Sequence, residues 1–266
     1  MSEALAFPMY NINRADTGAL WRAVQRLLAD GGVAAGSLSP SFVGEALLAH
    51  WRHPGLVLSQ TCGFPLVTQL PDVQVVGCFH YTAPGCEGRN YRSLLVVRAQ
   101  DSDNTLADFR GRRVVCNAPD SQSGYNVLLK MVAPLAEQGR FFSGVTFSGS
   151  HRQSLIDLRR GEGDIAAIDC VTWALLQRHE PELLSGLVVI DRSPLAPGLP
   201  LITAASTSPE TLQAIRAALK VLVSAPQYRE ICSALFIGGF SEATRQSYQV
   251  LLDWRQEAAE AGLHQL

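Results

Sequence analysis

Four short segments of the 266-residue chain carry hydroxyls, amides or an imidazole where an apolar run gives way to a helical pattern. In NAPDSQSGYN (117–126) the run RRVVCN ends in a polar loop, and an amphipathic stretch begins near Gly124. The start of a helix leaves backbone N–H groups without helical partners, and its dipole favours negative charge there. Ser121 and Ser123 add hydroxyl donors, and Gly124 lets a bound group approach the backbone. Such a segment suits a phosphate-like or carboxylate head group. Serine ahead of a helix is equally an ordinary cap. Nucleotide hydrolysis gains no support, because the glycine-lysine pattern of a Walker loop is missing and Lys130 lies too far along to complete one.

SGSHRQSL (148–155) repeats the arrangement, with Ser148, Gly149 and Ser150 after a strand pattern and His151 and Arg152 at a helix start. SQTCGFP (59–65) ends the run LVLSQ with Gln60, Thr61, Cys62 and Gly63, and AAIDCVTW delivers Asp169 after apolar or small residues. Ligands of open α/β sheets bind beyond the carboxyl ends of strands, so these polar strand ends point to one cleft. A second chemistry uses the same ends. Cys62, Cys116 or Cys170, with His151 as base and Asp169 to orient it, would make a thiol nucleophile. A cysteine and a histidine this far apart in sequence act together only if the fold joins them.

The elements that must position these groups alternate along most of the chain. Strand patterns are expected at 5–10, 56–60, 73–81, 91–99, 112–117, 144–149, 164–169, 187–193 and 199–206. Helical periodicity lies between many of them, in TGALWRAVQRLLAD, SPSFVGEALLAHW, GYNVLLKMVAPLAEQ, HRQSLIDLRRG and VTWALLQRHE. That alternation predicts α/β units on a largely parallel sheet. The last third reads instead as successive helices with only turns between them, the first opened by Ser208, Pro209 and Glu210 as cap, first turn and dipole partner. Turn-rich TAPGCEGRNYR (82–92) and SPLAPGLP (193–200) mark two places where the chain is expected to change domain.

A hydrophobic content of 47% supports a sizeable core. Lys and Arg total 22 against 24 Asp and Glu, a net charge of -2, with no basic block to follow a nucleic acid backbone. No apolar run approaches the ~18 residues of a membrane span. Six cysteines are scattered without metal-ligand spacing, so structural zinc is not expected and reduced, buried thiols are.

PMY (8–10), SQTCGFPL, LADFRGRRVVCNAPDSQSGYNVL and SGSHRQSLIDLRRGEGDIAAID, in that order, resemble the phosphate/phosphonate-binding protein family of ABC transporters, with LADFRGRRVV followed by SQSGY the most specific part. The resemblance extends over nearly the whole chain. It implies a type II periplasmic-binding-protein-like α/β fold: two α/β domains with a two-stranded hinge and a ligand cleft between them. One lobe would be 1–88 plus 194–266 and the inserted lobe 89–193. Ser121, Ser123, Gly124 and Tyr125 would hold phosphonate or phosphate oxygens, Ser150 would be a further ligand contact, and His151 would donate to the same head group. Tyr10, Gln60 and Thr61 would contribute from the other lobe, and Asp169 would bind the substituent end or orient a donor. The implied protein is a solute-binding protein that clamps a small oxyanion for ABC-type uptake or for sensing. It would use no cofactor or metal, would not be an enzyme, and would have a permease or a signalling protein as partner. The alternative is an enzyme on the same fold, through the Cys/His pair or chemistry like that of pyrimidine-precursor synthases. Family members that serve transporters are exported or lipid-anchored; the N-terminus lacks the features of a signal peptide, so a cytoplasmic location is expected if the chain is full length.

Overall fold

The structure, a computed structural model, describes residues 4–37 and 45–266. The first stretch builds β1 (Ala4–Ala6), α1 (Arg14–Asp30), β2 (Gly36–Ser37), α2 (Glu45–Trp51), β3 (Leu56–Gln60), α3 (Gly63–Thr68) and β4 (Gln74–Tyr81), and runs on to β5 (Asn90–Tyr91). Next come β6 (Ser93–Arg98), β7 (Arg113–Cys116), α4 (Val127–Val132), β8 (Gly144–Phe147), α5 (His151–Arg159), β9 (Ile165–Asp169), α6 (Cys170–His179), β10 (Leu187–Arg192) and β11 (Ala196–Pro197). The chain ends with β12 (Pro200–Thr203), α7 (Pro209–Ser224), α8 (Arg229–Ala234), β13 (Ile237–Ser241) and α9 (Gln249–Glu260). The beginning of the expected helix SPSFVGEALLAHW lies outside the described residues.

Contacts divide the chain into two compact units, residues up to Asn90 with Pro197–Tyr248, and Tyr91–Ala196 with Gln249–Leu266. The expected outer lobe kept 194–266 together. Residues 249–266 group instead with the second unit, because Ala258 and Leu263 are buried in its core and Trp254 packs against it. Arg255 Nη1 donates to Asn126 Oδ1 at 3.2 Å, and Lys130 pairs with Glu257.

In the first unit the sheet order is β13-β4-β12-β3-β1-β2. β1 runs parallel to β2 and β3, whereas β12 is antiparallel to both β3 and β4. α1 starts where Asn13 Oδ1 accepts from Ala15 N at 2.9 Å and Asp16 N at 3.2 Å. It buries Leu20, Ala23, Val24 and Leu28, a stripe at three- and four-residue spacing. α7 begins as the sequence predicts, with Ser208 Oγ accepting from Thr211 N at 3.1 Å ahead of Pro209.

β13 corrects the expectation of an all-helical last third. IGGFS has poor strand propensity because of its two glycines, yet those glycines permit the pairing with β4. A Cβ on Gly238 would stand 2.5 Å from Thr82 Cγ2, and one on Gly239 3.2 Å from the His80 ring.

The second unit's sheet has the order β10-β6-β9-β7-β8. β7 is parallel to β8 and β9, but β6 is antiparallel to β9 and β10, so the largely parallel sheet expected from sequence is mixed in both units. The central strand β9, IAAID, is buried at every position, as a near-continuous apolar run requires. One sheet face packs Leu95, Val114 and Ile165 against Leu128, Val132 and Phe141. Among the described residues no helix is long and apolar enough to cross a membrane.

Candidate functional site

β7 ends at Cys116, and the chain turns back at Ser121. Ser121 Oγ accepts from Gly124 N at 3.0 Å, while its carbonyl accepts from Tyr125 N at 3.3 Å and Asn126 N at 3.0 Å. The five-residue reach of the last bond makes Gln122–Asn126 a turn of π-helix that runs directly into α4. Such wide turns are rare and concentrate at functional sites. They also use up the N–H groups of Gly124, Tyr125 and Asn126, so this segment is built less on open amides than its sequence suggests.

Gly124 matters for space. A Cβ there would lie 1.8 Å from Asn117 Oδ1 and 3.3 Å from His151 Cε1, which places the end of β7, the π-turn and the start of α5 in one cluster. Ser123 Oγ and His151 Nε2 are 2.8 Å apart. Burial pushes the His151 pKa down to about 4, so the imidazole is neutral near pH 7. Its Nδ1 is buried without a hydrogen-bond partner. An orphaned lone pair is tolerated better than an orphaned N–H, which favours the tautomer with its proton on Nε2. That proton goes to Ser123 Oγ, and the serine hydroxyl keeps its own hydrogen to donate onward. Asn117 Oδ1 is likewise buried without a partner.

The remaining second-unit residues singled out from sequence take other places. Ser150 caps α5, its Oγ accepting from Gln153 N at 3.1 Å. Asp169, 2% exposed, caps α6 through Oδ1, which accepts from Val171 N at 2.7 Å and Thr172 N at 3.3 Å. Tyr125 is buried in the unit's core, its ring also meeting the half-exposed Phe147 with centroids 5.8 Å apart, and its hydroxyl accepts from Leu266 N at 3.2 Å. Arg152 is held by Glu180, with Nε 3.0 Å and 2.9 Å from the two carboxylate oxygens and Nη2 2.6 Å from one of them.

The first unit gathers its own group at the carboxyl ends of β1, β3 and β4. Tyr10 meets Tyr81 edge-on at 5.0 Å, and Gln60 Nε2 donates to the Tyr81 hydroxyl at 3.0 Å. Trp51 Nε1 donates to the Gln60 carbonyl at 3.1 Å, and Thr61 N to the Pro200 carbonyl at 3.0 Å. Sequence reasoning passed over Asn117, Ser93 and Tyr81. Tyr81 ends its strand as Gln60 ends its own, and that shared position was the available signal.

A model of the family described as "ABC transporter, phosphonate, periplasmic substrate-binding protein" matches residues 67–248. The chain belongs to this family. Among solved structures, PhnD1 from Prochlorococcus marinus, in complex with methylphosphonate, is similar with a TM-score of 0.79 at 14% identity, over 97% of this chain and 99% of that one. A binding protein component of an ABC phosphonate transporter from Pseudomonas aeruginosa gives 0.77 at 16%, over 98% and 88%. A Xanthomonas citri protein solved bound to ATP gives 0.72 at 16%, over 98% and 99%. These likenesses establish the type II periplasmic binding protein fold, with its two α/β lobes. No curated protein matches the chain.

As a family member the protein is a substrate-binding protein and not an enzyme. For Cys116 the thiol alternative also lacks its chemistry. Burial pushes the Cys116 pKa up to about 12, the wrong direction for a nucleophilic thiolate, and His151 is bonded to a serine hydroxyl.

Proposed function

We propose that this substrate-binding protein takes a small phosphonate- or phosphate-like oxyanion at Ser123 and His151 and delivers it to the permease of an ABC importer. The observation that carries the reading is the Ser123–His151 pair, in which a neutral imidazole leaves the serine hydroxyl a hydrogen to donate. Ser121 and Gly124 shape the turn that presents Ser123, Asn117 fills the space beside it, and Ser150 and Asp169 hold the starts of α5 and α6. Tyr125 contributes by fixing the π-turn against the core. Tyr10, Gln60 and Thr61 of the first unit are proposed as further ligand contacts, with Tyr81 orienting Gln60.

Titration calorimetry with methylphosphonate, inorganic phosphate and sulfate tests the reading. Ser123→Ala and His151→Ala should each weaken phosphonate binding by about 1–3 kcal/mol, the usual loss when a buried polar partner is removed. Unchanged affinity in both variants would refute the assignment.

A further inference from the structure

A chain of short hydrogen bonds runs from Ser123 to the first two of the three places where the polypeptide passes from one unit to the other. Ser93 Oγ donates to the Ser123 carbonyl at 2.8 Å. Ser93 N in turn donates to Ser193 Oγ at 2.8 Å, and Ser193 N to the Ser93 carbonyl at 2.8 Å. The Ser193 hydroxyl finishes the chain on the Pro194 carbonyl at 2.8 Å, while Arg92 Nη1 donates to the Ser193 carbonyl at 3.0 Å. Ser93 is 2% exposed, Ser193 1% and Ser123 5%, so these bonds are shielded from competing water. The unit begins at Tyr91 and its long segment ends at Ala196, which puts Ser93 and Ser193 within three residues of the first two crossings, the third being at Tyr248 and Gln249.

We infer that Ser93 and Ser193 are positioning residues for oxyanion binding: without touching the ligand, they set the direction in which Ser123 presents its hydroxyl. This rests on the reading that Ser123 and His151 take the oxyanion. Ser93 is well suited to the task. Its hydroxyl reaches the Ser123 peptide from a strand, β6, that is fully buried from Ser93 to Val97. A hydrogen bond to a peptide carbonyl, made in a dry environment, restrains the rotation of that peptide and with it the serine side chain. Ser193 holds Ser93 in place from the other crossing. Neither serine stands out in the sequence, because Ser93 reads as the start of an apolar strand and Ser193 as the head of a proline-rich turn.

A double-mutant cycle read by methylphosphonate calorimetry separates positioning from general support of the fold. Ser93→Ala should weaken binding about tenfold when Ser123 is present, the factor that follows from the loss of one buried hydrogen bond. In the Ser123→Ala background the same change should alter affinity by less than about twofold, since the group it positions is gone. Ser93→Thr, which keeps the hydroxyl, should restore most of the affinity. Equal losses in both backgrounds, or none in either, overturn the inference. If Ser93→Ala does not fold, Ser193→Ala carries the same cycle with the same expected outcomes. The two readings fail separately: wild-type affinity in both Ser123→Ala and His151→Ala removes the binding site, whereas weakened affinity there with an unaffected Ser93→Ala removes the positioning role alone.

Discussion

Gly124→Ala is expected to abolish measurable methylphosphonate binding and to lower the stability of the second unit. The added methyl would sit 1.8 Å from Asn117 Oδ1, about half of an ordinary contact, and 3.3 Å from His151 Cε1. Asn117 has less room to give way than a surface side chain. Its Oδ1 is buried, and its carbonyl is fixed by Gly149 N at 2.9 Å. Relief then has to come mainly from a shift of the π-turn, which separates Ser123 Oγ from His151 Nε2. Forcing an extra carbon into a packed site typically costs about 1–3 kcal/mol, and the binding geometry is lost with it. Asn117→Gly removes the clash, so the double variant Gly124→Ala/Asn117→Gly should regain the melting temperature before it regains affinity. Wild-type binding by Gly124→Ala alone would show that the cluster around Gly124 does not shape the site.

Acidification gives the second large effect. Burial lowers the pKa of both His50 and His151 to about 4, with His53 adding repulsion at His50. Between about pH 6.5 and pH 4 the unfolded chain binds a proton at each histidine that the folded protein refuses, so stability falls as pH falls through that window. Each full shift corresponds to a loss on the order of 3 kcal/mol. Carboxylates held below their ordinary range, such as Asp164 beside Arg98 and Arg113, act later, as pH drops through and below the usual carboxylate values. Denaturant titrations at pH 7 and near pH 4.5 therefore isolate the histidine contribution. His50→Gln and His151→Gln should each flatten the pH dependence, and the double variant should leave the part contributed by His80, whose pKa is also lowered by burial and by Arg89. An unchanged slope in the double variant would contradict the burial argument.

The parts legible in the sequence were those governed by short-range rules. LVLSQ forms β3 over the expected residues, and Ser208 caps α7 as expected, whereas Ser150 and Asp169, read as ligand contacts, cap α5 and α6. The cluster of Ser123 with His151 was legible too, because both follow strands of one sheet. What escaped was decided by distant partners. β13 forms from a glycine-rich run only because β4 accepts a close neighbour, and α9 joins the second unit because Ala258 and Leu263 find their apolar surroundings there. The Tyr125 ring turns into the core for the same reason. Its position in SQSGYN suggests a ligand contact, whereas Phe147 and Leu266, far away in the sequence, decide its direction.

Arg152, the one permanent cation in SGSHRQSL, spends its charge on Glu180. At the proposed site the groups nearest the ligand are the Ser123 hydroxyl and the His151 imidazole, whose dipoles act at contact range, with Arg92 as the formal charge that lines the same pocket. Dissolved salt shortens the reach of electric fields from about 30 Å at 0.01 M to about 3 Å at 1 M and leaves touching dipoles almost unaffected. Capture of a phosphonate should accordingly lose, between fresh water and brine, only the share of its affinity that the Arg92 charge supplies.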